Sequence, residues 1–299
     1  MLKRNRIKDP WQDKLLYAIV GIFFAVFVIL VLYPIIFVIS ASFSSGAALN
    51  AGQVILWPVD PGLHGYEAVF SHKYVLSGYR NTIFYTIVGT AIGVSVTFTA
   101  AYPLTRRDFP ARRFMMVLCT ITMFFGGGLV PFYILMVNLK FINTIWAMLI
   151  PGALSVYNMI LVRTNIMSNI PNELLEAAQI DGCSDTRYFF EIVLPLSKAV
   201  IAVITLYTAV GHWNSYFNAM IFLRDKNLFP LQLILREILV SSRIDLSEIE
   251  DADLLAALVG LENLLKYSLI VVSSVPIICV YPFIQKYFIK GVMIGSLKG

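Results

Sequence analysis

The sequence predicts an all-α polytopic membrane protein. Of its 299 residues, 58% are hydrophobic and only 14% are charged, and the mean hydropathy is +0.76. An ordinary soluble domain has about 25% charged residues. Six apolar segments are long enough to supply the roughly 20 helical residues that cross a hydrocarbon core of about 30 Å. These six predicted transmembrane helices cover residues 15–41, 80–104, 113–137, 144–167, 196–221 and 265–287.

Glycines mark two special positions within these segments. The run Gly126–Gly128 predicts a break in the third helix near its outer end, which is either a gate hinge or a simple packing turn. Membrane helices tolerate such breaks because neighbouring groups satisfy the freed backbone. Gly89 and Gly93 are one helical turn apart, so two helices, from one chain or from two subunits, can approach closely there.

Lysine and arginine counts predict that both chain ends lie in the cytoplasm. With the N-terminus inside, fifteen of the 23 lysine and arginine residues lie on the inner side, as cytoplasmic loops require. The first apolar run follows basic residues but has no cleavage site near its end, so we expect it to be retained as a helix. The predicted organisation is a cytoplasmic segment 1–14, a six-helix transmembrane domain 15–291 and a cytoplasmic tail 292–299.

Two outer loops are long enough to have structure of their own. Residues 42–79 contain the piece HGYEAVFSHKYV, which predicts a short interfacial helix. Residues 222–264 carry mixed charge and an apolar stripe from Leu231 to Leu239. That pattern is typical of a surface that meets a soluble protein or of a cap over the helix ends. The three cysteines show neither pairing nor metal-ligand spacing, so we expect free thiols.

The inner loop, residues 168–195, is a polar island between long apolar runs. Pro171 suits the start of a short helix. Gly182 ends that helix, because glycine adopts a left-handed C-terminal turn at little cost. Ser184 or Asp185 then caps a second helix. The sequence therefore predicts a helix, a tight turn and a second helix on the cytoplasmic side.

The first of these two helices has the features of a docking surface. Ala177 and Ala178 form a low surface that another protein can approach, and Glu176 offers a charge to an arginine or lysine. The alternative is an ordinary loop between the fourth and fifth membrane helices.

The residues of the inner loop also follow a known family pattern. They are Glu176, Ala177, Ala178, Asp181, Gly182, Ile192, Leu194 and Pro195. This pattern resembles the EAA loop of binding-protein-dependent ABC importer permeases. In that family the loop is a coupling helix that sits in a cleft of the cytoplasmic ATPase and converts ATP-driven closure into rotation of the membrane helices. The resemblance implies that these residues, without Ile192, couple this chain to an ATPase; only Cys183 departs from the pattern, where alanine is expected.

The end of the chain carries a second resemblance. Its matching residues are Tyr281, Pro282, Gln285 to Phe288, Gly291 and the closing Gly295 to Gly299. They resemble the tail of the smaller subunit of maltose-type sugar permeases, and the branch for complex, often acidic oligosaccharides such as alginate or pectin fragments is the most similar. The resemblance implies that Ser296, Lys298 and Gly299 reach the partner ATPase. It also implies a second, larger permease subunit, two ATPase subunits and an extracytoplasmic solute-binding protein.

The sequence contains no recognisable catalytic or nucleotide-binding pattern. His64, His72 and His212 are not grouped with an acid or nucleophile, and neither H-E-x-x-H nor G-x-x-x-x-G-K-[ST] occurs. We therefore expect a chain that is not an enzyme and holds no cofactor or metal, with ATP and Mg²⁺ bound by the partner ATPase. The basic residues lie between apolar runs, which indicates contact with membrane lipid and not with nucleic acid.

The densest polar cluster within the apolar segments lies late in the predicted fifth helix. Its residues are His212, Trp213, Asn214, Tyr216 and Asn218. At 1.5 Å per residue the cluster lies roughly 20–30 Å beyond Lys198, in the outer half of the membrane. Asparagine amides can bridge sugar hydroxyls and the aromatic rings can stack on a pyranose, so these residues are candidates for a substrate route. The alternative is a hydrogen-bonded seam between helices.

Together with the two resemblances, which imply the partner subunit and the ATPase, these observations predict a permease subunit of the bacterial cytoplasmic (inner) membrane. It would pass an oligosaccharide inward through a heterodimeric pore by alternating access, driven by a separate ATPase. The alternative is a self-contained secondary transporter of sugars, which would use an acidic residue inside the membrane for ion coupling. None of the six segments contains a clearly central Asp or Glu.

Overall fold

The computed structural model describes residues 10–241 and 252–296, and within these ranges the chain forms helices and turns without a strand. In chain order the helices are α1 (Trp11–Ser42), α2 (Gly46–Asn50), α3 (His64–Phe70), α4 (Val75–Ala101), α5 (Arg112–Phe124), α6 (Leu129–Asn138), α7 (Trp146–Leu149), α8 (Val156–Asn169), α9 (Asn172–Ile180), α10 (Asp185–Tyr188), α11 (Leu194–Leu196), α12 (Lys198–Trp213), α13 (Phe217–Phe222), α14 (Leu231–Ser241) and α15 (Ala252–Ser296). Two compact units divide the chain: Met1–Ser71 with Leu239–Val272, and His72–Ile238 with Ser273–Gly299.

Three helices in the described ranges are long and apolar enough to cross a membrane: Trp11–Ser42, Val75–Thr105 and Leu258–Cys279. Two further pairs of consecutive helices are joined by a sharp bend. If each pair counts as one crossing, the number of crossings in these ranges is at most five. The two pairs are α5 with α6, and the segment Asp185–Leu196 with α12. The prediction of a helical protein with several membrane crossings is confirmed, whereas six separate spanning helices are not.

The predicted third helix, 113–137, is in fact two helices. α5 ends at Phe124 and α6 begins at Leu129, with an angle of 115° between them. Gly128 in the connection has a φ of 82°, a left-handed conformation that glycine adopts without steric cost. The predicted break at Gly126–Gly128 is confirmed, but it turns the chain instead of bending one continuous helix.

The predicted helix over 144–167 is interrupted as well. Pro151 and Gly152 separate α7 from α8, and Gly152 has a φ of 77°. Pro151 lacks the backbone N–H that a helix interior uses, and the left-handed Gly152 turns the chain. The remaining helix α8 has 14 residues, which at 1.5 Å each gives about 21 Å, less than the hydrocarbon core.

The predicted helix over 196–221 ends early. α12 stops at Trp213, and a turn at residues 214–216 precedes α13. The cluster at residues 211–218 therefore does not lie on one continuous helix, and positions counted at 100° per residue do not describe it.

In the first unit, the end of α1 is tied to the loop that follows it. The Ser40 hydroxyl donates to the Leu56 carbonyl at 2.5 Å, and the hydroxyls of Ser42 and Tyr66 are 2.7 Å apart. Tyr66 belongs to α3, which confirms the short helix predicted within HGYEAVFSHKYV. By contrast, the apolar side chains along most of α1 are exposed, as suits a helix in contact with lipid or another protein.

Two glycines let the elements of this unit touch through their backbones. A Cβ placed on Gly46 of α2 would lie 2.7 Å from the carbonyl carbon of Gly260 in α15. Real Cβ atoms do not approach other atoms so closely, and a backbone atom cannot rotate away. Glycine is therefore required at this contact.

We predict that Gly46→Ala destabilises the protein by about 1–3 kcal/mol, the usual range for overpacking. The matched control is Gly21→Ala on α1, where a Cβ meets nothing within 4 Å. The midpoint of thermal unfolding in detergent should fall for Gly46→Ala and stay unchanged or rise for Gly21→Ala. Equal midpoints for the two variants would contradict the contact.

In the second unit, α4 packs against α8 and α12. A Cβ on Gly89 would overlap the imidazole of His212, and one on Gly93 would lie 2.9 Å from Cγ2 of Thr208. The close approach predicted at these two glycines is confirmed, and it joins two helices of the same chain.

The first half of the long outer loop is fastened to α4. The Asn81 amide donates to the carbonyls of Asn227 (2.6 Å) and Phe229 (3.0 Å), and the Tyr85 hydroxyl donates to Leu228 at 2.9 Å. These contacts fix the segment that leads into α14.

α14 turns its apolar stripe toward the chain itself. Leu231, Leu233, Ile234 and Leu235 are at most 5% exposed. The sequence of the outer loop 222–264 allowed two interpretations, and its first half fits the cap over the helix ends. Residues 242–251 of the same loop lie outside the described residues.

Candidate coupling site

The inner loop folds as a helix, a tight turn and a second helix, as predicted. The N–H of Cys183 donates to the Ala178 carbonyl at 2.8 Å, and the N–H of Gly182 donates to Gln179 at 3.1 Å. Gly182 has a φ of 70°. This pair of bonds around a left-handed residue is the Schellman motif, which closes the C-terminal end of α9.

The second helical stretch begins at Ser184. Its hydroxyl accepts a hydrogen bond from the N–H of Arg187 at 3.3 Å, so Ser184, and not Asp185, supplies the cap. α10, a π-helical turn at Phe189–Val193 and α11 follow in one run. This run meets α12 at an angle of 81°, so the coupling loop, residues 171–196, leads directly into α12.

The predicted ATPase-coupling residues differ in exposure. Glu176, Ala177, Asp181, Gly182 and Pro195 are exposed, and Leu194 is half-buried. Ala178 is only 8% exposed and packs in one apolar cluster with Tyr188 and Phe189. The expectation that Ala178 offers a surface to another protein is therefore wrong for this structure, because its small side chain lets α9 pack against the rest of the chain.

A buried arginine links the end of α4 to the coupling loop. Arg106 is 8% exposed. Its Nε and Nη2 donate to the two carboxylate oxygens of Asp108 at 3.1 and 3.0 Å, and Nη2 also lies 3.1 Å from Oδ1 of Asp185 in α10. Charge-assisted bonds of this kind are among the strongest side-chain contacts in proteins. The sequence alone does not distinguish Arg106 from the neighbouring Arg107. In the structure Arg106 is buried and Arg107 is exposed.

Electrostatics favours the charged state of this cluster. The hydrogen bond from Arg106 lowers the pKa of the Asp108 carboxyl and raises the pKa of the guanidinium. The Asp108 side chain is 67% exposed, so water screens that pair. The Asp185 side chain is 64% exposed, so its contact is screened as well. The Arg106 side chain is only 9% exposed, and leaving a buried charge without its partners is costly.

A cavity of about 240 Å³, here called the coupling cavity, separates α9 from the end of α4. Its lining includes Tyr102, Arg106, Met167, Leu175 and Glu176. The cavity lies beside the apolar cluster in which Ala178 of α9 packs with Phe98 and Ala101 of α4. The contact between Asp185 and Arg106 joins the coupling loop to the segment that follows α4.

The predicted substrate-route residues fall into two groups. The indole of Trp213 is buried and donates to the Ser273 carbonyl at 2.9 Å, and His212 packs against Gly89. These two residues form a seam between helices. Asn214 and Tyr216 are exposed at the turn after α12, and the half-buried Asn218 lies on α13.

One residue that was not among the candidates stands beside this turn. The guanidinium carbon of Arg236 in α14 lies 5.9 Å from the ring centroid of Tyr216, within the range of a cation–π contact. An aromatic ring of the turn and a cation of α14 therefore lie side by side.

Of the predicted tail residues, Ser296 is the last of α15, and Lys298 and Gly299 lie outside the described residues.

The sequence matches a known protein family over most of its length. Residues 89–294, more than half of the chain, match the family described as binding-protein-dependent transport system inner membrane component. The chain belongs to this family. It is thus a permease subunit of a binding-protein-dependent ABC importer, which works with a partner permease, an ATPase and a solute-binding protein.

Two relatives are similar to this chain over most or all of their length. The polygalacturonan/rhamnogalacturonan transport system permease protein YtcP of Bacillus subtilis (strain 168) is 37% identical over 296 residues, covering 98% of this chain and 100% of the relative. Protein LplC of the same organism is 38% identical and covers 89% of each chain.

A solved structure shows the same fold. It is a bacterial ABC transporter involved in the import of the acidic polysaccharide alginate, with a TM-score of 0.82 and 33% identity, covering 95% of this chain and 100% of that one. Dependence on a binding protein and an ATPase decides against the self-contained secondary transporter.

Proposed function

We propose that this chain is one of two similar permease subunits that pass an acidic oligosaccharide inward across the bacterial inner membrane. Two relatives whose names refer to acidic polysaccharides, at 37% and 33% identity, support this substrate class. Arg236 beside Tyr216 adds a physical reason, since a guanidinium pairs with a sugar carboxylate and an aromatic ring stacks on a pyranose face.

One observation carries the proposed mechanism. The Schellman turn at Gly182 fixes α9 so that Glu176 and Ala177 are exposed, while Asp185 joins the same loop to Arg106 at the end of α4. When two ATPase subunits close on ATP and Mg²⁺, α9 moves with them. The salt bridge and the continuous run into α12 carry that movement to α4 and α12, which are packed together.

The proposed topology has six crossings with both chain ends in the cytoplasm. Three long helices and two bent pairs supply five of them, and α7 with α8 supplies the sixth. The count of lysine and arginine residues supports this orientation. A tag attached either to the N-terminus or to the outer loop 222–264 checks this orientation. In intact cells, a reagent that does not cross the membrane should label only the tag in the outer loop.

In this topology the outer loop of residues 222–264 faces the solute-binding protein, and the C-terminal tail reaches the ATPase. Asn214, Tyr216 and Asn218 line the part of the sugar route that belongs to this subunit. Ser296, Lys298 and Gly299 extend the ATPase contact, so removing residues 295–299 should lower the ATPase activity that loaded binding protein stimulates. Unchanged stimulation would refute the role of the tail.

Uptake into proteoliposomes tests the function as a whole. We expect ATP-driven uptake of oligogalacturonate when the partner permease, the ATPase and the binding protein are all present, and no uptake when the ATPase is left out. A neutral oligosaccharide of equal length is the control for the substrate class. Uptake without the ATPase, or uptake of only the neutral sugar, would contradict the proposal.

A further inference from the structure

A second cavity lies beside the coupling cavity, between the start of α5 and the second half of α8. Its volume is about 400 Å³. The lining residues are Arg112, Arg113, Met116, Val117, Arg163 and Met167. Met167 lines both cavities, so the basic cavity, as we call this one, lies at the same end of the second unit as the coupling loop.

The three arginines of the basic cavity have no carboxylate partner in residues 10–241 and 252–296. Two are instead positioned by backbone carbonyls. Nε of Arg163 donates to Leu104 at 2.9 Å, and Nη1 of Arg112 donates to the Arg106 carbonyl at 3.4 Å. Most of their N–H groups remain available to a ligand, because a guanidinium has five donors.

Electrostatics favours an anion in the basic cavity. Three like charges share one cavity, and two of them stand in the first turn of α5, where the helix dipole already contributes positive charge. That turn contains no Asp or Glu. A phosphate group offsets this charge and accepts bidentate hydrogen bonds from guanidinium groups.

An apolar groove continues from the basic cavity along α5. It has a volume of about 280 Å³ and shares Met116 and Val117 with the cavity. The remaining lining residues are Thr120, Ile121, Phe124 and Phe125. No residue of α5 is buried, and the exposed fractions of Ile121 and Phe124 are 52% and 71%. A basic pocket that opens into an apolar groove has the two chemical parts of a phospholipid.

We propose that the basic cavity binds the headgroup phosphate of an anionic phospholipid, and that the groove along α5 holds one of its acyl chains. Free phosphate matches the arginines but not the groove. Because Arg112 and Arg163 contact the turn that carries Arg106, a bound lipid steadies the end of α4 at the place where the coupling loop acts on it.

The test uses the full chain, purified with its partner subunits and placed in nanodiscs of mixed phosphatidylglycerol and phosphatidylcholine. Phosphatidylglycerol that stays bound is counted by native mass spectrometry. We expect Arg112→Gln/Arg113→Gln/Arg163→Gln to weaken its retention by about tenfold or more, since each arginine near an anionic lipid contributes about one kcal/mol.

Two further variants separate lost binding from lost folding and from lost charge. The same three positions changed to lysine keep the charge and should keep the lipid. Arg80→Gln/Arg107→Gln/Lys140→Gln removes three charges at exposed positions outside the basic cavity and should also keep it.

Three outcomes would overturn the proposal. The first is equal lipid retention by the glutamine variant and the native chain, and the second is equal loss in the exposed-position control. The third is displacement of the lipid by millimolar inorganic phosphate, which would identify a free-phosphate site.

Discussion

Replacing Arg106 with leucine is expected to reduce transport by about tenfold or more, while the complex still assembles. The variant loses the bidentate bond to Asp108 and the bond to Asp185. Water screens both pairs because the two carboxylates are 67% and 64% exposed, and a combined loss of about 1.4 kcal/mol is enough for a tenfold effect. The end of α4 then loses its link to α10. ATPase activity, measured in the same samples as uptake, should continue, because the ATPase still hydrolyses ATP but no longer moves the helices of the permease.

A double-mutant cycle separates this role from simple packing. Asp185→Asn alone should also impair transport, and its effect should be largely absent in the Arg106→Leu background, since contacting residues act non-additively. Asp108→Asn is the matched control, because its carboxylate also contacts Arg106 and is as exposed as that of Asp185 (67% against 64%), but it does not belong to the coupling loop. Additive effects of Arg106→Leu and Asp185→Asn would contradict transmission through their contact.

Replacing Gly182 with valine is expected to uncouple the transporter through the backbone alone. A Cβ at Gly182 meets nothing within 4 Å, so no clash arises, but its φ of 70° costs a β-branched residue about 1–2 kcal/mol or more. The Schellman bonds open, and α9 no longer holds Glu176 at a fixed position. ATP-driven uptake in proteoliposomes measures the loss.

Gly182→Asn is the matched control for this variant. Asparagine adopts the left-handed conformation more readily than other non-glycine residues, so it should retain most of the uptake. If valine and asparagine give the same uptake as glycine, the turn does not depend on the left-handed residue.

Local sequence chemistry was sufficient to predict the coupling loop. Gly182 and Ser184 act on backbone groups within a few residues of themselves, so their effects are visible in the sequence. The approach of two helices at Gly89 was also predictable, because a missing side chain is itself the signal.

Contacts between distant parts of the chain could not be predicted in this way. Arg106 and Arg107 look alike in the sequence, and only the fold places Asp185 beside one of them. Ala178 has the same small side chain whether it faces a partner or the core of its own chain. Hydropathy likewise does not register the turn at Gly152, because apolar residues continue on both sides of it.

The central claim is that α9 binds the ATPase through its exposed face. Glu176→Lys reverses a charge on that face, and Glu67→Lys reverses an exposed charge on α3 of the other unit. The most direct measurement is the amount of ATPase that co-purifies with the detergent-solubilised permease, compared for the two variants. We predict that Glu67→Lys retains the ATPase and Glu176→Lys loses most of it; full retention by Glu176→Lys, together with normal uptake, would contradict the claim.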